Sequence, residues 1–150
     1  MLARLDSLRG DNSPQARRFL ERLKPMFEAT CRTHGEMRRR GIRVVVGGDY
    51  GFAANPQGTN ARDLEHFVTH SGFTASDALQ AATRIGGEIM MRGHELGLVK
   101  KGYLADLLLV DGDPLKDVRL LQDKNRLVFV MKDGVRYLPC AGPPHIRRLH

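Results

Sequence analysis

One aspartate at the end of an apolar run is the residue of this chain best placed for chemistry. Val44, Val45 and Val46 are followed by two glycines and then by Asp49. A short β-branched run bounded by glycines is typical of a strand buried on both faces of a parallel sheet. Reactive groups in such sheets lie at the carboxyl ends of the strands. From the residues alone, Asp49 is either a reactive carboxylate or the cap of the next turn.

The histidines and cysteines of the chain do not supply an evident metal centre. None of the six histidines forms a His-x-His motif. His66 and His70 have a spacing compatible with zinc, but Phe67 stands where a zinc protease of that spacing carries glutamate. We interpret this pair as part of a polar helix face. Cys31 and Cys140 form no metal-binding or disulfide framework, which indicates a reducing, cytoplasmic compartment.

Positive charge is concentrated in the first part of the chain. The 150 residues carry a formal net charge of +7, and residues 1–43 contain 11 Lys/Arg against 5 Asp/Glu. The run Arg38-Arg39-Arg40 would suit phosphate contacts, but cations are also favoured at the C-terminus of a helix. We favour the second interpretation and expect no nucleic-acid binding. Long apolar runs are absent, so we expect neither a signal peptide nor a membrane span.

The residues around Val44–Val46 predict helices that position the end of the predicted strand. Ser13-Pro14 begins a helical pattern that Pro25 should kink or split and that Gly41 should end. A loop over residues 50–59 follows Asp49. Further on, Asn60 is predicted to cap a helix over 61–70, and Thr74, with Asp77 in a near capping box, begins an amphipathic helix that continues to Met90.

The pattern becomes strand-like from about Gly97. Apolar runs at 105–111, 118–121, 127–131 and 135–138 predict a small β unit. Asp133-Gly134 joins the last two runs, and an Asp-Gly pair between apolar runs is a strong signal for a two-residue hairpin turn.

Several motifs in this order resemble the C-terminal part of metal-dependent amidohydrolases, in the imidazolonepropionase-like and Xaa-Pro dipeptidase-like branch. They are the Gly-x-Asp strand end, the Asn-Ala-Arg-Asp-Leu helix, the segment Gly-Phe-Thr-Ala-Ser-Asp-Ala-Leu-Gln-Ala-Ala-Thr, the Gly-x-Leu-Ala-Asp-Leu strand and the Asp-Gly hairpin. The resemblance covers roughly residues 20–138. It implies an α/β fold: the C-terminal portion of a (β/α)8 TIM-like barrel with a small β-sandwich segment, incomplete as a barrel by itself.

The resemblance also implies a role for Asp49. In that family the aspartate after the eighth barrel strand binds metal and moves the proton. Asp49 would therefore be both the catalytic residue and a metal ligand in a hydrolase that cleaves the C–N bond of a small amide by metal-activated water. Gly48 stands where the family usually has Thr or Ser, so a supporting hydrogen bond is expected to be absent. By position, Tyr50, Gly51, Phe52 and Asn60 are predicted to line the substrate pocket.

The resemblance leaves the rest of the site to other segments. The cofactor would be a divalent metal, with zinc expected, in one or two ions, whose remaining ligands are not in this chain. A whole barrel needs about 250 residues, so we expect a C-terminal fragment that pairs with the N-terminal barrel portion or with itself. The alternative is an inactive remnant that serves association or nucleic-acid binding. The predicted organisation is 1–12 loop or disorder, 13–96 barrel portion, 97–140 β-sandwich segment and 141–150 flexible tail.

Overall fold

The computed structural model describes residues 13–51 and 55–137. Within these residues, four α-helices precede a three-stranded sheet, with two 3-10 helices between the first and second strands. The elements are α1 (Pro14–Arg39), α2 (Arg62–His70), α3 (Ala75–Ala82), α4 (Arg84–Ile89), β1 (Leu107–Val110), η1 (Val118–Gln122), η2 (Lys124–Arg126), β2 (Leu127–Lys132) and β3 (Val135–Tyr137).

Helix α1 begins and ends where its residues predict. The Ser13 hydroxyl accepts a hydrogen bond from the Ala16 amide at 3.2 Å, and Pro14 is the first helical residue. Gly41 follows the last turn with φ of +71°, a conformation that glycine adopts without the penalty of a Cβ atom. The expected split at Pro25 is wrong, because one helix of 26 residues contains it. Loss of a single backbone donor does not end a helix of this length.

The strand predicted at Val44–Val46 does not form within the described residues. Residues 42–50 have no regular secondary structure, and the three-stranded sheet contains only β1, β2 and β3. A strand exists only where a neighbour completes its hydrogen bonds. The predicted burial is confirmed in part, because Val46 is partly buried and packs against the hydrophobic core. The segment therefore has the composition of a buried strand without a partner.

The core lies between α2, α3 and η1. Leu64, Ala78 and Val118 are its buried members, with relative exposures of 5%, 0% and 4%. Phe67 and Phe73 add an aromatic pair whose ring centroids are 4.8 Å apart. Helices α2 and α3 thus bury their apolar faces against each other, which is the main source of stability for short helices.

The start of α3 has the predicted capping box. The Thr74 hydroxyl accepts a hydrogen bond from the Asp77 amide, and the Asp77 carboxylate accepts one from the Thr74 amide. The predicted helix to Met90 is interrupted at Thr83, whose φ of −116° and ψ of −88° are not helical. The close packing expected at Gly86-Gly87 is confirmed at Gly87, where an added Cβ would lie 2.7 Å from the Leu96 carbonyl oxygen.

The sheet has the predicted hairpin. Strands β2 and β3 are antiparallel, with Lys132 opposite Val135, and Asp133 and Gly134 have positive φ of 51° and 75°. Both values fit a type I′ turn. The apolar run at 118–121 forms η1 instead of extended structure, because the Asp117 carboxylate accepts a hydrogen bond from the Arg119 amide and caps a tight helical turn.

Candidate functional site

A groove of about 370 Å³ lies beside residues 42–50, called here the strand-end segment after the strand predicted there, and against α2, α3 and α4. Val45, Val46 and Leu64 contribute apolar surface to its lining. Its polar side chains come from Tyr50, Asn60 and Asp63. An apolar cavity with a few converging polar groups is the usual form of a small-molecule site.

Asp49 lies between two residues that line this groove, Gly48 and Tyr50, and it is exposed to solvent. Its backbone carbonyl accepts a hydrogen bond from the Asn55 side-chain amide at 2.8 Å. The Gly51 amide in turn donates to the Asn55 carbonyl at 2.9 Å, and Gly51 has φ of +121°. The chain therefore turns sharply after Asp49 and leaves its carboxylate accessible.

Tyr50 is half-buried and connects the strand end to the start of α2. Its hydroxyl donates to the backbone carbonyl of Asn60 at 3.5 Å. Burial, reinforced by the neighbouring Asp63 carboxylate, raises the pKa of Tyr50 to about 12. The side chain is thus a neutral phenol at physiological pH, able to donate a hydrogen bond.

The absence of a side chain at Gly48 is a structural requirement of this arrangement. A Cβ atom there would overlap the Tyr50 ring at Cε2 and would lie 2.7 Å from an oxygen of Asp63. Such contacts are too close to exist without displacement of the ring. The glycine that departs from the resembled family pattern therefore accommodates Tyr50.

The other predicted pocket residues have mixed outcomes. Asn60 lines the groove, but the prediction that it caps α2 is wrong: Ala61 holds the cap position without a side-chain hydrogen bond. The Asn60 side-chain oxygen instead accepts from the Gly58 amide at 3.3 Å, because a local turn competes for it. Gly51 shapes the turn and is not among the lining residues. Phe52 lies outside the described residues.

Asp63 is the polar residue of the groove that sequence reasoning did not single out. It lies in the first turn of α2, where acidic side chains are common because they oppose the helix dipole. Its proximity to Tyr50 is a tertiary contact, and no local pattern in the sequence encodes it.

The described residues do not assemble a complete metal site. Among them, no three His, Cys, Asp or Glu side chains converge in a way that could hold an ion. His66 and His70 are neighbours on α2, with ring centroids 5.9 Å apart, and burial lowers the pKa of His66. His70 packs its ring edge against Phe27 at 5.1 Å. Asp49 alone cannot retain a divalent metal.

A larger cavity, of about 670 Å³, lies between α1 and the end of α2. Phe27, Cys31 and His70 line it, and Ser71 forms its buried edge. Burial raises the pKa of the Cys31 thiol against the opposing effect of a hydrogen bond with Ser71. The thiol is therefore not an activated nucleophile, and we place the candidate site at the smaller groove beside Asp49.

Comparison with known proteins identifies the family. The amidohydrolase family profile matches residues 27–136. The chain belongs to the amidohydrolase family.

The match to a curated relative includes most of this chain but only a part of the relative. Ochratoxinase from Aspergillus niger is 24% identical over 128 residues, which are 81% of this chain and 25% of that protein. This chain thus spans about a quarter of the length of the curated relatives that it matches.

Solved structures give the same correspondence. A putative prolidase from Bifidobacterium longum is 32% identical, with a TM-score of 0.66 over 75% of this chain and 26% of that one. A Xaa-Pro dipeptidase with bound methionine is 29% identical, with a TM-score of 0.62 over 72% and 25%. The A. niger ochratoxinase structure, at 21% identity and a TM-score of 0.71 over 91% and 30%, shows likeness of fold.

The similar structures are amidohydrolase barrels, of which this chain corresponds to a part. Its described residues form an α/β unit whose single sheet is antiparallel, and they do not close a barrel. Within this same part of the chain, no helix is both long enough and apolar enough to cross a membrane.

Proposed function

We propose that this chain contributes the catalytic aspartate to a hydrolase of amide C–N bonds. The observation that carries the proposal is the position of Asp49, which lies in the strand-end segment, is exposed, and stands between two groove-lining residues within the family match. A carboxylate so placed can accept the proton of an attacking water and return it to the leaving nitrogen.

A divalent metal, with zinc expected from the resemblance, would supply an activated water at neutral pH when bound. Asp49 is the only ligand that we assign to it here. The remaining ligands would have to come from other segments, because the described residues do not bring together three side chains that could hold an ion.

We propose that this chain functions against further barrel segments, either of the same enzyme or of a second copy. Support comes from large apolar side chains that remain exposed, including Met91 at 85% and Val99 at 90%. The unpaired segment at 42–50 likewise suits a neighbouring strand.

The substrate that we propose is a small amide. Two solved relatives are named as a putative prolidase and a Xaa-Pro dipeptidase. The groove volume of about 370 Å³ suits a small molecule. A dipeptide amide is therefore the first class to test.

The alternative of an inactive nucleic-acid-binding module is not favoured by the arginine run. Arg38 pairs with Asp77 at 2.6 Å, and both Arg39 and Arg40 pair with Glu36. Phosphate contacts would have to compete with these carboxylates. The three arginines therefore form ion pairs within the last turns of α1 and between α1 and α3.

The decisive experiment replaces Asp49 in the complete enzyme. Asp49→Asn should reduce turnover of dipeptide amides by about 10²- to 10⁴-fold, because a positioned acid or base contributes that much. Bound metal, measured by elemental analysis, should also decrease. The matched control is Asp111→Asn, which changes an exposed carboxylate of the β unit that pairs with Arg126 and should retain activity. Near-normal turnover in Asp49→Asn would refute the assignment.

A further inference from the structure

The residues on both sides of Asp49 form a linked pair. The Tyr50 ring occupies the space that any side chain at position 48 would enter, with Cε2 and Cζ both too close to a Cβ atom there. The opposite end of the ring lies just before α2, where the hydroxyl donates to the Asn60 carbonyl at 3.5 Å. The ring therefore crosses from the strand end to the helix.

This position makes Tyr50 a wall of the groove. The side chains of Tyr50 and Asp63 both line the groove. One carboxylate oxygen of Asp63 would lie 2.7 Å from a Cβ atom added at Gly48. The remaining surface includes aliphatic Val45, Val46 and Leu64. Among the described residues that line the groove, Tyr50 has the largest side chain, so its ring limits the space in the groove that adjoins Asp49 along the chain.

We propose that Tyr50 is the specificity-determining residue of this site, and that its ring, seated over Gly48, restricts the amide substrate to one with a small aliphatic group beside the scissile bond. The inference rests on the proposed amide hydrolysis. Bulky groups are excluded because they would have to displace a ring that is anchored at both ends. Small aliphatic groups fit the apolar lining without that displacement.

The test compares two dipeptide amides that differ only in the group beside the scissile bond, one carrying alanine and the other phenylalanine. We expect the wild-type enzyme to prefer the alanine substrate in kcat/KM. Tyr50→Ala should shift this ratio towards the phenylalanine substrate by about tenfold or more, as expected for relief of exclusion from a pocket. Tyr50→Phe, which retains the ring but loses the hydrogen bond to the Asn60 carbonyl, is the matched control and should shift the ratio much less than Tyr50→Ala.

The linkage with Gly48 provides a second readout. Gly48→Ser should shift the substrate ratio because the ring must move, and it should add no further shift in the Tyr50→Ala background. Such non-additivity is the signature of residues in direct contact.

The outcomes separate the two proposals. If the wild-type enzyme hydrolyses neither amide and no related one, the proposed function is wrong and this inference is wrong with it. If hydrolysis occurs and depends on Asp49, but Tyr50→Ala leaves the ratio unchanged, only the role of Tyr50 is overturned. An equal shift in Tyr50→Phe would also overturn the assignment to the ring.

Discussion

The helical unit α2 to α4 and the strand-end segment at 42–50 reach stability in different ways. The helices pack Leu64 and Ala78 into a common core with exposures of 5% and 0%, and α3 has a complete capping box. The segment at 42–50 has no sheet partner in the described chain, and Ile42 is 49% exposed. The helices therefore supply their own packing, whereas the segment that contains Asp49 relies on neighbours.

The largest expected effect comes from a substitution in the core of the helical unit. Leu64→Ala should lower the free energy of unfolding by about 2–5 kcal/mol, because it removes buried contacts and leaves a cavity. Chemical denaturation followed by circular dichroism measures the change. Leu109→Ala is the control, since Leu109 is 56% exposed in β1, and it should change stability by less than about 1 kcal/mol. Equal losses would show that the core is not where we place it.

A smaller effect is expected at the junction of α1 and α3. Partial burial opposes ionisation of Asp77, but hydrogen bonds from Thr74 and the Arg38 guanidinium hold its pKa below the ordinary value. Asp77→Asn should therefore cost about 1 kcal/mol at neutral pH. Asp111→Asn, which removes an exposed ion pair, should cost less.

The pH dependence of Asp77 has a defined sign. A carboxylate with a lowered pKa in the folded chain contributes its full stabilisation above the ordinary value of 3.8, and this contribution is lost as the pH falls through the folded value. The difference in unfolding free energy between wild type and Asp77→Asn should therefore shrink below about pH 4. A difference that grew in acid would contradict the assignment.

The smallest effect is expected in the strand-end segment at 42–50. Val46 packs against the core but is only partly buried, so Val46→Ala should cost less than about 1 kcal/mol. Hydrogen exchange should show faster amide exchange over 42–50 than over α2, because the former lacks a ladder. Strong protection of residues 42–50 in the isolated chain would mean that a partner strand, for example from a second copy, is already present.

Features encoded by adjacent residues were predictable from the sequence. The Ser13 cap, the Thr74–Asp77 capping box, the Gly41 terminus and the Asp133-Gly134 turn all depend on residues a few positions apart. The prediction of a strand at Val44–Val46 was wrong because strand pairing requires two segments. The sequence of one segment does not show whether its partner strand is present.

The candidate site was predictable only in part for the same reason. Asp49 was singled out by its position after an apolar run, and its role stays a proposal. The approach of Tyr50 to Asp63 and the resulting need for Gly48 depend on tertiary contacts that no local pattern encodes. The interruption at Thr83 reflects a tertiary contact as well, because Gly97 lies so close to the Thr83 carbonyl that a Cβ there would overlap it.

The pairing of Val118 with Leu64 in the core has a consequence for the order of folding. Helices α2 and α3 are neighbours in the chain and can associate quickly, whereas η1 must close a long loop before it reaches them. Val118 should therefore join after the helices have met. Val118→Ala would then accelerate unfolding and leave the rate of refolding almost unchanged.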